Sequence, residues 1–209
     1  MDFAERMTAL LSELRRERNG AAADAMRFCG RPCGLNLGVV IPTIRTVAAS
    51  VARDHAFARY LYKQDVRELR IAAVWIAEPE KVGPADLDFW CAGIINSELA
   101  EQAAMALLSR VGCVDALLES WPSKGELAAY AALMSAARND AASVCTVLKA
   151  VNESLERYPD SRIVGHGAVA AVMAAYRREP DNVKAFAAGL KPATSAAQYV
   201  CGELSWQME

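Results

Sequence analysis

The side chains that could do chemistry in this chain are few, and helical spacing groups them. Glu98, Glu101, Gln102, Met105 and Ser109 recur three and four residues apart, so a helix through them carries one polar stripe. Carboxylates on such a stripe can stabilise a developing cation or accept a proton, and they oppose phosphate. Tyr130 lies in the next alanine-rich run, and His166 is set between two glycines in the one after that. The group reads in two ways. It is a solvated face, or Glu98, Gln102, Tyr130 and His166 line a concave surface as a pocket for a small ligand or peptide. His166 also reads as a hydrogen-bonded structural histidine. Trp75 and Trp121 read as packing residues before base-stacking ones.

The basic groups that could meet phosphate are Arg45, Arg67, Arg70, Arg110 and Arg138, with Arg177 and Arg178 beyond them. Converging on one side, they would neutralise several phosphates and make binding fall steeply with salt. Arg67-Glu68-Leu69-Arg70 equally suits salt bridges between helices. Cys29-Gly30-Arg31-Pro32-Cys33 brings two thiols into one Gly/Pro-rich turn. A metal would need two more ligands, and His55 and His166 are the only histidines, so neither metal nor cofactor is expected. The cysteines otherwise read as small buried hydrophobes of a reducing compartment.

A chain of 209 residues with 54% apolar content can bury a substantial core, which argues against disorder and fits one domain over 1–209. A formal net charge of −2 excludes a general polycation, so nucleic-acid binding would require arginines gathered on one face. No run approaches the roughly 18 apolar residues that span a bilayer. Met1-Asp2-Phe3-Ala4-Glu5 lacks the basic start of a signal peptide. The expectation is a cytoplasmic protein with no membrane partner.

Helices must position these groups. Apolar residues at helical spacing, broken by Asn19-Gly20, Glu78-Pro79, Trp121-Pro122, Asn139-Asp140, Tyr158-Pro159 and Lys191-Pro192, predict helices over 3–18, 21–29, 65–77, 97–110, 126–138, 144–157, 162–178, 182–189 and 194–206. Shorter helices are predicted from Pro42, from Pro84 and up to Glu119. Capping boxes are expected at Asp65-Val66-Arg67-Glu68 and at Ser123-Lys124-Gly125-Glu126. Starts near 65, 97, 126, 162 and 194 recur at roughly 30 to 36 residues, the spacing of helical-pair repeats. The expected fold is all-α: a right-handed α-α superhelix, a solenoid with a concave face.

Gly38-Val39-Val40-Ile41-Pro42-Thr43-Ile44-Arg45-Thr46-Val47-Ala48 is similar to the Gly-Val-x-x-Pro-x-Ile-Arg-x-Ile-Ala stretch of the DNA alkylation repair family, the AlkD-like DNA glycosylases built from HEAT-like repeats. Val66-Arg67-Glu68-Leu69-Arg70-Ile71-Ala72-Ala73 resembles that family's Glu-x-Arg-x-x-Ala helix. The resemblance implies hydrolysis of an N-glycosidic bond without metal or organic cofactor. It also implies a basic groove for duplex DNA and a cleft where tryptophans, an aspartate and an arginine hold a cationic lesion. In register, those positions fall at Leu99, Ala103, Ala129 and Ala171, and the helices that carry them contain neither Trp nor Asp. The expectation is a divergent member that has kept the scaffold as a binding module. An active glycosylase using other groups, such as Glu98, Glu101 or Tyr130, and a protein-interaction scaffold are the alternatives.

Overall fold

Alanine-rich segments separated by proline, glycine and asparagine breaks form thirteen α-helices among the described residues. The only β-type pairing among them is an isolated bridge between Leu35 and Val66. The structure is a computed structural model and describes residues 2–29 and 34–208. The expected Cys29/Cys33 pair therefore falls partly outside the described residues; Cys29 itself is exposed. The chain gathers into two units, 1–81 and 82–209.

The first unit holds α1 (Phe3–Arg16), α2 (Gly20–Phe28), α3 (Ile41–Ala49), α4 (His55–Tyr62) and α5 (Arg67–Ile76). Helix α4 has no counterpart among the helices predicted from the sequence. Its eight residues include three aromatics, and its amphipathic stripe of Phe57, Ala58 and Leu61 is buried. Asp54 caps it by accepting from the Phe57 N–H at 3.0 Å. Asp2 and Glu5 make a reciprocal capping box on α1.

The box expected at Asp65–Glu68 does not form. The N-cap of α5 is Val66, with no side-chain cap bond. Glu68 turns inward and accepts from the N–H groups of Leu37 at 3.1 Å and Val39 at 3.3 Å. Buried amides of the extended lead-in to α3 thus compete for the carboxylate and win over the solvent-facing helix end. Gly38 lies in this lead-in at φ 71°. A Cβ there would collide with the Asn19 carbonyl, so conformation and space both require glycine.

The second unit opens with α6 (Leu87–Ala92) and continues through α7 (Ser97–Ala106), α8 (Val114–Ser120), α9 (Glu126–Ala136), α10 (Val144–Arg157), α11 (Arg162–Tyr176), α12 (Pro180–Gly189) and α13 (Ser195–Gln207). Helices α7, α9, α11 and α13 pack side by side, and α8, α10 and α12 form the layer behind them. These four neighbours begin at the repeat starts read from the sequence. Close approach follows from composition: α9 and α11 are buried largely through alanine and glycine. A Cβ on Gly167 would sit 3.1 Å from Tyr130 Cδ2 and 3.2 Å from Leu133 Cβ.

The second expected capping box also fails. Ser123 donates to the Ser120 carbonyl within a 3-10 turn over Trp121–Lys124, which leaves Gly125, at φ 128°, as the N-cap of α9. Trp121 is completely buried in that turn, and among the described residues no helix is long and apolar enough to cross a membrane.

Candidate nucleic-acid interface

The four-helix wall of the second unit runs in parallel register, and side-chain contacts fix the levels. Near the helix starts, Tyr130 on α9 donates to Glu101 Oε1 on α7 at 2.8 Å. One helix further, Gly167 of α11 lies against Tyr130, and His166 Nδ1 is 3.0 Å from the hydroxyl of Tyr199 on α13. Glu101, Tyr130, His166 and Tyr199 therefore form one row across four helices. Tyr130 is 5% exposed. Burial first, and then the Glu101 carboxylate, push its phenol above the ordinary tyrosine range. The hydroxyl is held as a donor to that carboxylate.

Near the helix ends the wall carries a second row. Asn139, after α9, donates to the Val111 carbonyl after α7 at 3.3 Å. Arg178, after α11, donates to the Asp140 carbonyl at 2.8 Å and to that of Ala142. These loop contacts bring Arg110, Arg138 and Arg177 to one edge, at the C-terminal ends of successive helices, and all three are exposed. Cations are favoured there by the carbonyl ends of the helices. Arg138 also reaches its own Met134 carbonyl at 2.8 Å. Asp140 and Glu179 are exposed beside the arginines, so the edge is basic but not purely so. Between the two rows lie half-buried Met105, Met134 and Met173.

The other expected site residues have different places. Gln102, expected on an open surface, is 5% exposed, and Glu98 is half-buried. Tyr130 pairs with Glu101, a residue outside the expected set. Arg67, expected to meet phosphate, is buried: it donates to Glu68 Oε1 at 2.8 Å and to the Val39 carbonyl at 2.9 Å. Its register, directly before an acid that enters the core, draws it inward. Arg45 lies 4.6 Å above the Trp75 ring. Arg70 donates to the Gln64 carbonyl at 2.8 Å and lies 3.3 Å from Asp65. Of the basic candidates, Arg110, Arg138 and Arg177 stand exposed at successive helix ends.

Sequence reading did not single out Tyr199 or Trp206. Their seven-residue separation within the last helix was the available signal, because it places them on one face. The cysteines depart from the expectation of burial: Cys145 is exposed like Cys29, whereas Cys91, Cys113 and Cys201 are half-buried, and burial pushes these three thiols up. Among the described residues no group of His, Cys, Asp and Glu is arranged to hold a metal ion. The positions matched to the family's cleft, Leu99, Ala103, Ala129 and Ala171, are all buried in the wall's packing.

Charge is divided unevenly. Residues 1–81 hold thirteen Lys and Arg against ten Asp and Glu, a formal +3; residues 82–209 hold ten against fifteen, a formal −5.

Comparison with known proteins bears on this geometry. No curated protein matches the chain. A solved structure described as "A new family of proteins related to the HEAT-like repeat DNA glycosylases with affinity for branched DNA structures" superposes with a TM-score of 0.69 at 15% identity, covering 100% of this chain and 96% of that one. At that identity the likeness carries the fold, an all-helical HEAT-like repeat. The model of the family described as "DNA alkylation repair enzyme" matches residues 10–188, spanning both units and all but the last helix. The chain belongs to the DNA alkylation repair enzyme family.

Proposed function

We propose that this protein binds DNA through the arginine edge of the α7, α9 and α11 wall and does not excise bases. The observation that carries the reading is the alignment of Arg110, Arg138 and Arg177 at successive helix ends, joined by the Asn139 and Arg178 loop contacts. Cations at a repeating interval suit a repeating polyanion, and a small ligand would not need three of them. The affinity for branched DNA ascribed to the relative of like fold agrees in ligand class. Loss of excision is supported by the wall itself. Where the family resemblance calls for aromatic and acidic groups, packed leucine and alanine leave neither a stacking face nor a carboxylate beside a trapped base.

Affinity for duplex DNA measured across a salt series tests binding. The logarithm of the association constant should fall linearly with log salt. Replacing Arg110, Arg138 and Arg177 by Ala should lower the slope by roughly 0.9 for each phosphate that is no longer neutralised. A slope unchanged in the triple variant refutes this edge as the phosphate-binding surface. Release of methylated purines from alkylated DNA, abolished by Glu98→Ala and Glu101→Ala, would instead establish a glycosylase that uses other groups. The formal −5 of residues 82–209 favours a second reading, a protein-interaction scaffold. Absence of DNA binding at low salt would select it.

A further inference from the structure

Three helix ends on the wall carry an exposed arginine; the fourth carries an exposed indole. Trp206, on α13, is 75% exposed, whereas Trp90 and Trp121 are buried and Trp75 is covered by Arg45. A packing role does not account for it, because α13 buries Ala196, Ala197, Val200 and Leu204 on its other side. Two contacts fix where it lies. The Ala196 N–H donates to the Pro159 carbonyl at 2.9 Å, and Tyr199 meets His166, so α13 runs parallel to α11. Trp206 is seven residues beyond Tyr199, as Met173 is seven beyond His166. Both steps are two helical turns, about 10.5 Å. The indole therefore stands at the level of Met173, just short of Arg177.

The geometry points to a site for unpaired nucleotides: Trp206 stacks on an exposed base, the methionine row of Met173 and Met134 receives apolar base faces, and Arg177, Arg138 and Arg110 hold the phosphates between them. Aromatic platforms beside a line of cations are how single strands are held without regard to sequence, since every base has a π-face and every nucleotide a phosphate. A fully paired duplex hides those faces within its stack and offers only phosphates. This inference rests on the DNA-binding reading and specifies the substrate class: forked or branched DNA with a single-stranded arm.

The test compares a blunt duplex, a forked duplex with unpaired arms, and a single-stranded oligonucleotide, using the full chain. The fork and the single strand should bind more tightly than the blunt duplex and quench tryptophan emission. Trp206→Ala should abolish the quenching and weaken fork binding by roughly 5- to 150-fold, the range for loss of one stacked base. Duplex affinity should be unchanged. Trp206→Phe keeps a π-face and should restore fork binding to within about threefold. Equal salt-dependent binding of fork and duplex, unaffected by Trp206→Ala, overturns the stacking site and leaves phosphate binding standing. Failure of all three DNAs to bind at low salt overturns both.

Discussion

At the scale of single residues, two charged groups set conditions on the fold of the first unit. Glu68 is fully buried with Arg67, and its oxygens also hold the Leu37 and Val39 amides. Removing it takes the carboxylate from the buried Arg67 guanidinium, which keeps the Val39 carbonyl, and takes the shared acceptor from the Leu37 and Val39 N–H groups. Glu68→Ala should therefore cost about 3–5 kcal/mol in denaturant unfolding, the range for breaking a buried ion pair. Exposed Glu17→Ala should stay within about 0.5 kcal/mol of the parent. Asp54 acts through charge. The Phe57 N–H, and then Arg6 at 2.6 Å, hold its carboxyl below the usual range. A carboxyl depressed in the folded state contributes stability above its unfolded pKa, about 3.9, and loses it as pH falls through the lower folded value. The stability gap between the parent and Asp54→Asn should narrow as pH drops below about 4, and unfolding curves recorded between about pH 6 and 3 measure it. A gap that does not change with pH would show that the carboxylate's charge adds nothing beyond its cap.

At the scale of elements, small residues set how closely the helices of the wall approach. Gly165 and Gly167 are two residues apart on α11 and face different neighbours. A Cβ on Gly165 would meet the ring edge of half-exposed Tyr199 at 3.1 Å, and that side chain can swing outward. A Cβ on Gly167 meets Leu133 Cβ, which moves only with the backbone of α9. Gly167→Ala should therefore destabilise by about 1–3 kcal/mol, and Gly165→Ala by clearly less. Thermal unfolding of the two variants makes the comparison, and the reverse order would mean that Tyr199 is the more tightly held neighbour. Gly167→Ala should also disturb the Tyr130 to Glu101 bond, since the new methyl group presses on the tyrosine ring that carries it.

At the scale of the whole molecule, the net charge of −2 conceals a separation that matters for partners. Residues 1–81 add exposed Arg15, Arg18 and Arg53 to their positive balance, while the arginine edge lies in the acidic portion. We expect Arg15, Arg18 and Arg53 changed together to Ala to reduce duplex affinity at low salt, and a competition titration with the parent chain gives the ratio. Unchanged affinity would confine binding to the residues beyond 82.

The sequence by itself determined the breaks, the repeat and every described α-helix except α4. Those depend on local propensity, on apolar spacing and on proline, glycine and asparagine, all of which act within a few residues. It also determined what α7, α9 and α11 lack, since a segment with no Trp or Asp cannot present one in any register. Only the tertiary structure decided which polar groups meet. Glu101 rather than Glu98 reaches Tyr130, Arg67 is buried while Arg110 and Arg138 share an edge with Arg177, and Tyr199 finds His166. Each of these pairings joins residues about 30 positions apart or turns on which helix face another helix covers, and packing fixes both.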